Sequence, residues 1–279
     1  MTKMVLPDTF MQHRLNEFKK KAGKYMDILT NKANGILTIT FNRPEKKNAI
    51  TAAMYQIIAD ALKDAESDAE VRVILITGTQ EIFTAGNDLD DFLQNPPQST
   101  ESPVYQFIQS LIHTTKPVVA AVAGTAVGIG TTLLLHCDLV YAAENARFSM
   151  PFAKLGLCPE FSSSLVLPQI AGYQRAAEKL MLGEAFSAQE ACAMGFVNKV
   201  LPTAELLAFA QAQADKLVAL PASSLRATKH LMKSKQTAAI KTQIEEESIL
   251  FGEMLVSKEA KEAFNAFFEK RKPDFTKFK

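Results

Sequence analysis

A single carboxylate stands out in the stretch "GLCPEFSSS" (156–164), where Glu160 lies between apolar and small residues. An apolar setting raises the pKa of a carboxylate and makes it a better general base. The simpler alternative is a helix start, because proline followed by glutamate suits the geometry and dipole of a first helical turn. Taken alone, these residues favour the helix start.

Two glycine-bearing loops offer main-chain rather than side-chain chemistry: "FTAGNDL", with Gly86, and "GTAVGIGTTLLL", with Gly124, Gly128 and Gly130. One N–H group from each loop would form an oxyanion hole. By themselves the glycines are better explained by close helix–strand packing. A dinucleotide fingerprint is not met, because Leu133 occupies the position of its third glycine.

Other common forms of catalytic chemistry find little support in the sequence. The four histidines are scattered, and none lies in a HExxH or triad-like context. The serines at 162–164 are not in a GxSxG elbow. Three widely spaced cysteines fit no metal-ligand spacing and favour a reduced intracellular compartment. We therefore predict no metal site. The basic stretch "FFEKRKPDF" is typical of a solvated face, with a phosphate-binding lysine as the alternative.

The composition is that of an ordinary globular protein, with 279 residues, 47% hydrophobic and 22% charged. The formal net charge of +1 gives no electrostatic reason to expect nucleic acid or an anionic membrane as a partner. No apolar run reaches the length of a membrane span, and the N-terminus lacks the apolar core of a secretory signal.

Strand and helix signals alternate along the first two thirds of the chain. Strands are predicted within "GILTITFNRP" (35–44), "VRVILITG" (71–78) and "KPVVAAVAG" (116–124), with helical spacing between them. From about residue 160 the pattern is almost wholly helical, and Ser187 with Glu190 forms a capping-box signature. We predict an N-terminal extension (1–24), an α/β core (25–200) and a C-terminal helical region (201–279).

Taken together and in this order, the motifs resemble the crotonase family of acyl-CoA enzymes over about residues 27–273. Beyond the two glycine loops, the resemblance includes "ITFNRPEKKNAI", "FSAQEACAMGFVNKV" and the closing "FFEKRK". It implies a spiral of ββα turns with a C-terminal helical trimerisation region, assembled as a homotrimer or hexamer. It also implies an acyl-CoA substrate and no separate cofactor, because coenzyme A is part of that substrate.

The resemblance also assigns roles to individual positions. Carried over residue by residue, the oxyanion-hole donors are the N–H groups of Asn87 and Ile129. Lys270 would approach the phosphates of coenzyme A, in one arrangement from a neighbouring subunit. Phe152 and Leu157 would keep the acyl pocket dry. The remaining residues implied to bind the substrate or its coenzyme A part are Thr84, Ala85, Gly86, Asp88 and Gly128.

The acids distinguish the reactions within this family. At the two positions where family hydratases carry glutamates, this chain has Thr132 and Phe152, which disfavours hydration. Glu160 remains, in a context similar to the delta-3,delta-2-enoyl-CoA isomerases, and is the expected catalytic base. The expected reaction converts a 3-enoyl-CoA to the 2-trans-enoyl-CoA in fatty acid beta-oxidation.

Two alternatives to the isomerase stay open at this point. One is an enoyl-CoA hydratase or another crotonase-type enzyme, and the other is a non-catalytic acyl-CoA-binding relative. The chain lacks the acyl-CoA-binding domain and peroxisomal signal of the eukaryotic type-2 isomerase. We therefore expect a stand-alone enzyme of the bacterial cytoplasm, with the mitochondrial matrix as the alternative.

Overall fold

The strands of the chain are divided between two sheets. The computed structural model describes residues 26–95 and 101–278, so the predicted N-terminal extension lies outside the described residues. The strands in that part of the chain are β1 (Ile28–Ala33), β2 (Ile36–Phe41), β3 (Val73–Thr77), β4 (Ile82–Thr84), β5 (Val118–Val122), β6 (Thr125–Val127), β7 (Leu139–Ala143), β8 (Arg147–Ser149), β9 (Phe186–Ser187) and β10 (Lys199–Leu201).

Helices lie between these strands and follow them. They are α1 (Ala52–Ser67), α2 (Leu89–Gln94), α3 (Pro103–His113), α4 (Ile129–Thr132), α5 (Ser163–Ala171), α6 (Tyr173–Leu182), α7 (Ala188–Met194), α8 (Leu206–Ala219), α9 (Ala222–Leu255) and α10 (Lys258–Phe268). Short 3₁₀ turns occur at Pro44–Lys46, Leu133–His136, Ala153–Leu155 and Phe275–Lys277. The three predicted strands correspond to β2, β3 and β5.

The order of the strands describes a spiral. The larger sheet runs β1-β2-β3-β5-β7-β10, and all its neighbours are parallel except β1 and β2. The smaller sheet runs β4-β6-β8-β9, with β9 antiparallel to β8. The consecutive pairs β3–β4, β5–β6 and β7–β8 each give one strand to each sheet. This alternation confirms the α/β fold predicted from the sequence.

The central strands are buried on both faces. All five side chains of β3 are buried, as expected of a parallel strand covered on both sides. Ile74 and Ile76 belong to the main core, whereas Val73 and Leu75 belong to a second cluster that includes Leu206 of α8. Successive side chains of β3 thus enter two different cores, so both faces are buried and the strand is a continuous apolar run in the sequence.

The C-terminal helices pack on the same core as the strands. Ile244 of α9 and Phe264 of α10 are both members of the main core cluster. The predicted capping box is confirmed, with Ser187 Oγ accepting from Glu190 N and Glu190 accepting from Ser187 N. The helical pattern after residue 160 is interrupted by the short strands β9 and β10. In the described part of the chain, no helix is long and apolar enough to cross a membrane.

Candidate active site

The first candidate N–H donor lies in the loop that follows β4. Thr84 is fully buried, and its Oγ1 donates to the Asn48 carbonyl (2.6 Å) and accepts from Gly86 N–H (3.1 Å). Gly86 has φ +86°, and a β-carbon there would lie 2.7 Å from the Val127 carbonyl oxygen, so the position requires glycine. Within residues 26–95 and 101–278, the N–H of Asn87 has no hydrogen-bond acceptor.

The main chain on both sides of Asn87 is fixed by Ile50. Ile50 N donates to the Gly86 carbonyl (2.8 Å), and Asp88 N donates to the Ile50 carbonyl (2.9 Å). The Asp88 carboxylate forms an ion pair with Arg43 at 2.7 Å and caps α2. The side chain of Asp88 therefore supports the loop, and the Asn87 N–H between these anchors is left without an acceptor from the part of the chain that the structure describes.

The second candidate donor lies at the start of α4. Gly128 has φ +55°, and its carbonyl accepts from the N–H groups of Thr131 (2.8 Å) and Thr132 (3.0 Å). Ile129 is the first residue of this helix, and its N–H has no acceptor in the part of the chain that the structure describes. A β-carbon at Gly130 would lie 2.5 Å from Thr84 Cγ2, so the two glycine loops are in direct contact.

Glu160 is half-buried and is joined to α4 by a hydrogen bond. Thr132 Oγ1 donates to Glu160 Oε1, and the Thr132 side chain is itself fully buried. Thr132 occupies one of the two positions at which hydratases of the crotonase family carry a glutamate. The hydroxyl of Thr132 cannot act as a carboxylic acid, but its hydrogen bond orients the carboxylate of Glu160 next to the helix that presents the Ile129 N–H.

The electrostatic setting of Glu160 favours its protonated form. Burial raises the pKa of Glu160 to about 8, the hydrogen bond from Thr132 opposes that increase, and the carboxylate of Glu247 adds to it. A carboxyl group with a pKa in this range can accept a proton and return it near neutral pH. The sequence-based expectation of a carboxylate with a raised pKa therefore agrees with the structure.

The side chain of Asn87 is held by a buried tyrosine. Tyr55 of α1 donates its hydroxyl to Asn87 Oδ1 at 2.5 Å. Burial raises the pKa of Tyr55 well above 10, and the charge of Glu160 contributes to the increase, so the hydroxyl remains a donor. Tyr55 lies on the apolar face of an amphipathic helix, and nothing in the sequence distinguishes it from an ordinary core residue.

A cavity of about 490 Å³ connects these groups. Its wall includes Asn87, Ile129 and Glu160, which places the two candidate N–H donors and the carboxylate on one surface. Much of the remaining wall is apolar and comes from α3 and α9, with Val104, Tyr105, Ile108, Ile249, Phe251 and Leu255. Such a mainly apolar cavity with a few convergent polar groups is typical of a small-molecule site.

The structure changes the expected position of Phe152 and Leu157. Both side chains are buried in the main core, and neither lies on the wall of the cavity. Leu157 N donates to the Phe152 carbonyl (2.9 Å), which closes the turn around Ala153–Leu155. Phe152 Cε1 would lie 3.9 Å from a β-carbon at Gly128, so this ring supports the glycine loop from behind. The apolar wall is supplied by α3 and α9 instead.

The residues predicted to bind the substrate or its coenzyme A part all lie outside the cavity wall that the described residues form: Thr84, Ala85, Gly86, Asp88, Gly128 and Lys270. Ala85 N donates to the Lys47 carbonyl (3.0 Å) and so contributes to the first loop's structure. Lys270 is exposed and follows the end of α10, with φ +53°. Its contact with coenzyme A, from this subunit or a neighbour, stays a prediction.

Comparisons with known proteins show which family this chain resembles. Residues 31–278 match the enoyl-CoA hydratase/isomerase family. The chain is 37% identical over 259 residues to rat (Rattus norvegicus) enoyl-CoA delta isomerase 2, covering 91% of this chain and 66% of that protein. It is 35% identical over 256 residues to the 1,2-epoxyphenylacetyl-CoA isomerase of Escherichia coli K12, covering 89% and 98% of the two chains.

A solved structure gives the same result for the fold. The enoyl-CoA hydratase/isomerase of Pseudoalteromonas atlantica superposes with a TM-score of 0.86 at 38% identity, covering 90% of this chain and all of that one. The chain therefore belongs to the enoyl-CoA hydratase/isomerase family of crotonase-type acyl-CoA enzymes. This membership confirms the resemblance found in the sequence.

Proposed function

We propose that this protein is an isomerase that moves the double bond of a 3-enoyl-CoA to the 2-trans position, a reaction of fatty acid beta-oxidation. One observation carries the proposal: a carboxyl group with a pKa of about 8 shares a cavity wall with two residues whose N–H groups have no acceptor among the described residues. The reaction needs one proton acceptor and a site for a developing oxyanion.

The thioester oxygen binds between the N–H groups of Asn87 and Ile129. Loss of a proton from C2 puts negative charge on that oxygen, so these donors stabilise the transition state more than the substrate. One oxyanion-hole donor of this kind contributes about 3 kcal/mol. The glycine conformations that fix both loops mean that little reorganisation is required when the charge appears.

Glu160 carries the proton between two carbons. Its ionised carboxylate removes a proton from C2, and the C–H electron pair forms a dienolate across C1 to C4. The protonated Glu160 then returns a proton to C4, which leaves the double bond between C2 and C3 and restores the thioester carbonyl. No water is added or lost, and one carboxyl group is sufficient for both steps. The hydroxyl of Thr132 orients that group throughout.

Hydration of a 2-enoyl-CoA is the second candidate, because the cavity wall contains a second carboxylate. Glu245 of α9 lines the same cavity as Glu160. A pair of acids would suit the activation of water and delivery of a proton. However, Glu245 is exposed, whereas Glu160 is hydrogen-bonded to α4, which supports the single-carboxylate mechanism.

The proposal extends to assembly and location. A homotrimer or hexamer is supported by exposed apolar side chains on α9, among them Leu231, Met232 and Leu250. The cytoplasm is the proposed compartment, and Lys270 is the proposed contact for the phosphates of coenzyme A.

A direct assay tests the proposed reaction. The purified protein is given cis- and trans-3-enoyl-CoAs of several chain lengths, and formation of the 2-trans product is followed. Hydration of crotonyl-CoA is measured in parallel with the same preparation. We expect isomerisation to exceed hydration by a wide margin. Absence of isomerisation, or hydration as the faster reaction, would show that the assignment is wrong.

A further inference from the structure

The main chain directly after Glu160 adopts an unusual conformation. Phe161 has φ +57° and Ser162 has φ +54°, so two consecutive residues other than glycine lie in the left-handed region. Residues with a β-carbon rarely adopt this conformation, and bulky ones such as phenylalanine least of all. Such geometry persists only where the surrounding structure enforces it, and it is concentrated at functional sites. Specific contacts must therefore hold this segment.

The carboxylate of Glu247 supplies contacts from a distant part of the chain. Glu247 lies on α9 and is only 4% exposed. Its Oε2 accepts from Ser162 N (2.5 Å), and its Oε1 accepts from Ser164 N (3.0 Å) and from Ser164 Oγ. Ser164 Oγ also accepts from Gln243 Nε2 (3.2 Å), so its own proton points to Glu247. Both carboxylate oxygens thus face donors.

A buried histidine holds the other side of the same segment. The Phe161 carbonyl accepts a hydrogen bond from His136 Nε2 at 2.8 Å. The two rings are stacked, with centroids 4.2 Å apart and an angle of 16° between their planes. Burial lowers the pKa of His136 to about 4, so the ring is neutral and donates through Nε2–H. The peptide after Glu160 is therefore fixed between His136 and Glu247.

We propose that Glu247 is a positioning residue, whose carboxylate binds Ser162 and Ser164 and so keeps Phe161 and Ser162 in the left-handed conformation that directs Glu160 into the cavity. This inference rests on the proposed function, in which Glu160 is the base. Glu247 does not line the cavity, so it acts through the segment and not on the substrate. The contact joins residues separated by more than eighty positions in the chain.

Glu247→Gln tests the proposal. The amide nitrogen of glutamine would face an N–H donor, so at least one of the serine N–H groups loses its partner. Because small displacements of a catalytic group are costly, we expect kcat for 3-enoyl-CoA isomerisation to fall about a hundredfold. KM should change little, because the cavity wall and both candidate N–H donors are unaltered. Glu246→Gln is the matched control, since Glu246 is an exposed neighbour on the same helix, and it should keep wild-type kinetics.

The pH profile separates positioning from general loss of folded protein. The titratable groups near Glu160 are Tyr55, Cys158 and Glu247, and Glu245 lies on the same cavity wall. Removal of the Glu247 charge favours ionisation of Glu160, so the rising limb of kcat/KM should move to lower pH, by about one unit. A variant that is merely less stable would lose activity without moving this limb.

A crystal structure of Glu247→Gln gives a readout that does not depend on the reaction. We expect Phe161 and Ser162 to leave the left-handed region. If both keep positive φ and kcat stays within twofold of wild type, the inference is wrong. If the wild-type protein does not isomerise 3-enoyl-CoAs, the proposed function fails, while the structure still decides the role of Glu247.

A second variant covers the case in which Glu247→Gln does not fold. Ser164→Ala removes the hydroxyl donor and keeps both N–H contacts. We expect kcat to fall severalfold with an unchanged KM. The pH profile should shift in the same direction, because the Ser164 hydroxyl lowers the pKa of Glu247, and its loss reduces the negative charge near Glu160. Unchanged kcat and an unchanged pH profile in this variant would overturn the proposal.

Discussion

The two sides of the candidate site are built by different means. The oxyanion-hole side consists of two glycine loops, in which Gly86 and Gly128 adopt positive φ without a steric penalty. The base side has Phe161 and Ser162 in the same region of φ, where a side chain is unfavourable. The first side is specified by local sequence. The second depends on contacts from His136 and Glu247, which are distant in the chain.

The N–H donors and the base place different requirements on the main chain. The N–H donors need only a fixed main chain, which glycine and neighbouring hydrogen bonds supply. The base needs a main chain that aims its side chain and also a low-polarity setting that raises its pKa. The distant contacts from His136 and Glu247 meet the first need, and burial of the carboxyl group meets the second.

The largest expected effect comes from removing the base. Glu160→Gln keeps the size of the side chain and its hydrogen bond with Thr132, but it cannot accept a proton from carbon. The isomerisation rate should fall by about a hundred- to ten-thousandfold. Binding of an acyl-CoA, measured by titration calorimetry, should stay within a few-fold of wild type. Isomerisation by this variant at the wild-type rate would exclude Glu160 as the base.

The glycine side is tested by Gly86→Ala. The new β-carbon would lie 2.7 Å from the Val127 carbonyl oxygen, so the loop must move and displace the Asn87 N–H. We expect kcat to fall about a hundredfold or more, the cost of losing one oxyanion donor. Gly172→Ala is the matched control, because Gly172 has φ +82° but a β-carbon there meets nothing within 4 Å. Gly172→Ala should lower the stability and leave kcat unchanged. If Gly86→Ala and Gly172→Ala lower kcat equally, backbone strain and not the position of the Asn87 N–H explains the loss.

The hydrogen bond between Thr132 and Glu160 gives a smaller effect with a defined sign. This bond lowers the pKa of Glu160, so Thr132→Val should raise it. Because Glu160 must be ionised to act as a base, kcat/KM in the wild type should rise as pH increases through about 8. In Thr132→Val this limb should move to higher pH by about one unit, with a severalfold loss at pH 7. Thr132→Ser should restore the wild-type profile, and a limb that moves to lower pH would contradict this role.

The smallest expected effect is that of Tyr55→Phe. The variant removes the hydroxyl that fixes Asn87 Oδ1, but the main chain of the loop stays anchored by Ile50. We expect a decrease in kcat of about two- to tenfold, in keeping with one neutral hydrogen bond. An effect as large as that of Gly86→Ala would mean that Tyr55 takes part in the reaction itself.

The same difference explains what the sequence could predict. The strands and the capping box follow from local patterns, and so do the glycine loops at Gly86 and Gly128, whereas the spiral order is implied by the resemblance to the crotonase family. The role of Glu160 as the base is predicted only by the resemblance to the crotonase family, because proline followed by glutamate is equally suited to a simple helix start. In the structure α5 begins three residues later, at Ser163, after the left-handed pair.

Other parts of the site have no local signal. Glu247 is one of three consecutive glutamates on a long helix, and only the fold shows that it is buried while Glu246 is exposed. Tyr55 looks like a core residue of an amphipathic helix. The sequence predicts Phe152 and Leu157 in the acyl pocket, but both are buried in the main core. The pocket wall depends on tertiary contacts between distant helices, which the local sequence does not show.

The central claim is that one carboxyl group removes the proton from C2 and returns a proton to C4. Isomerisation of a 3-enoyl-CoA carrying deuterium at C2, run in ordinary water and analysed by mass spectrometry and NMR, tests it most directly. We predict a product with deuterium at C4, carried there by Glu160. Product that carries no deuterium at C4 would contradict it.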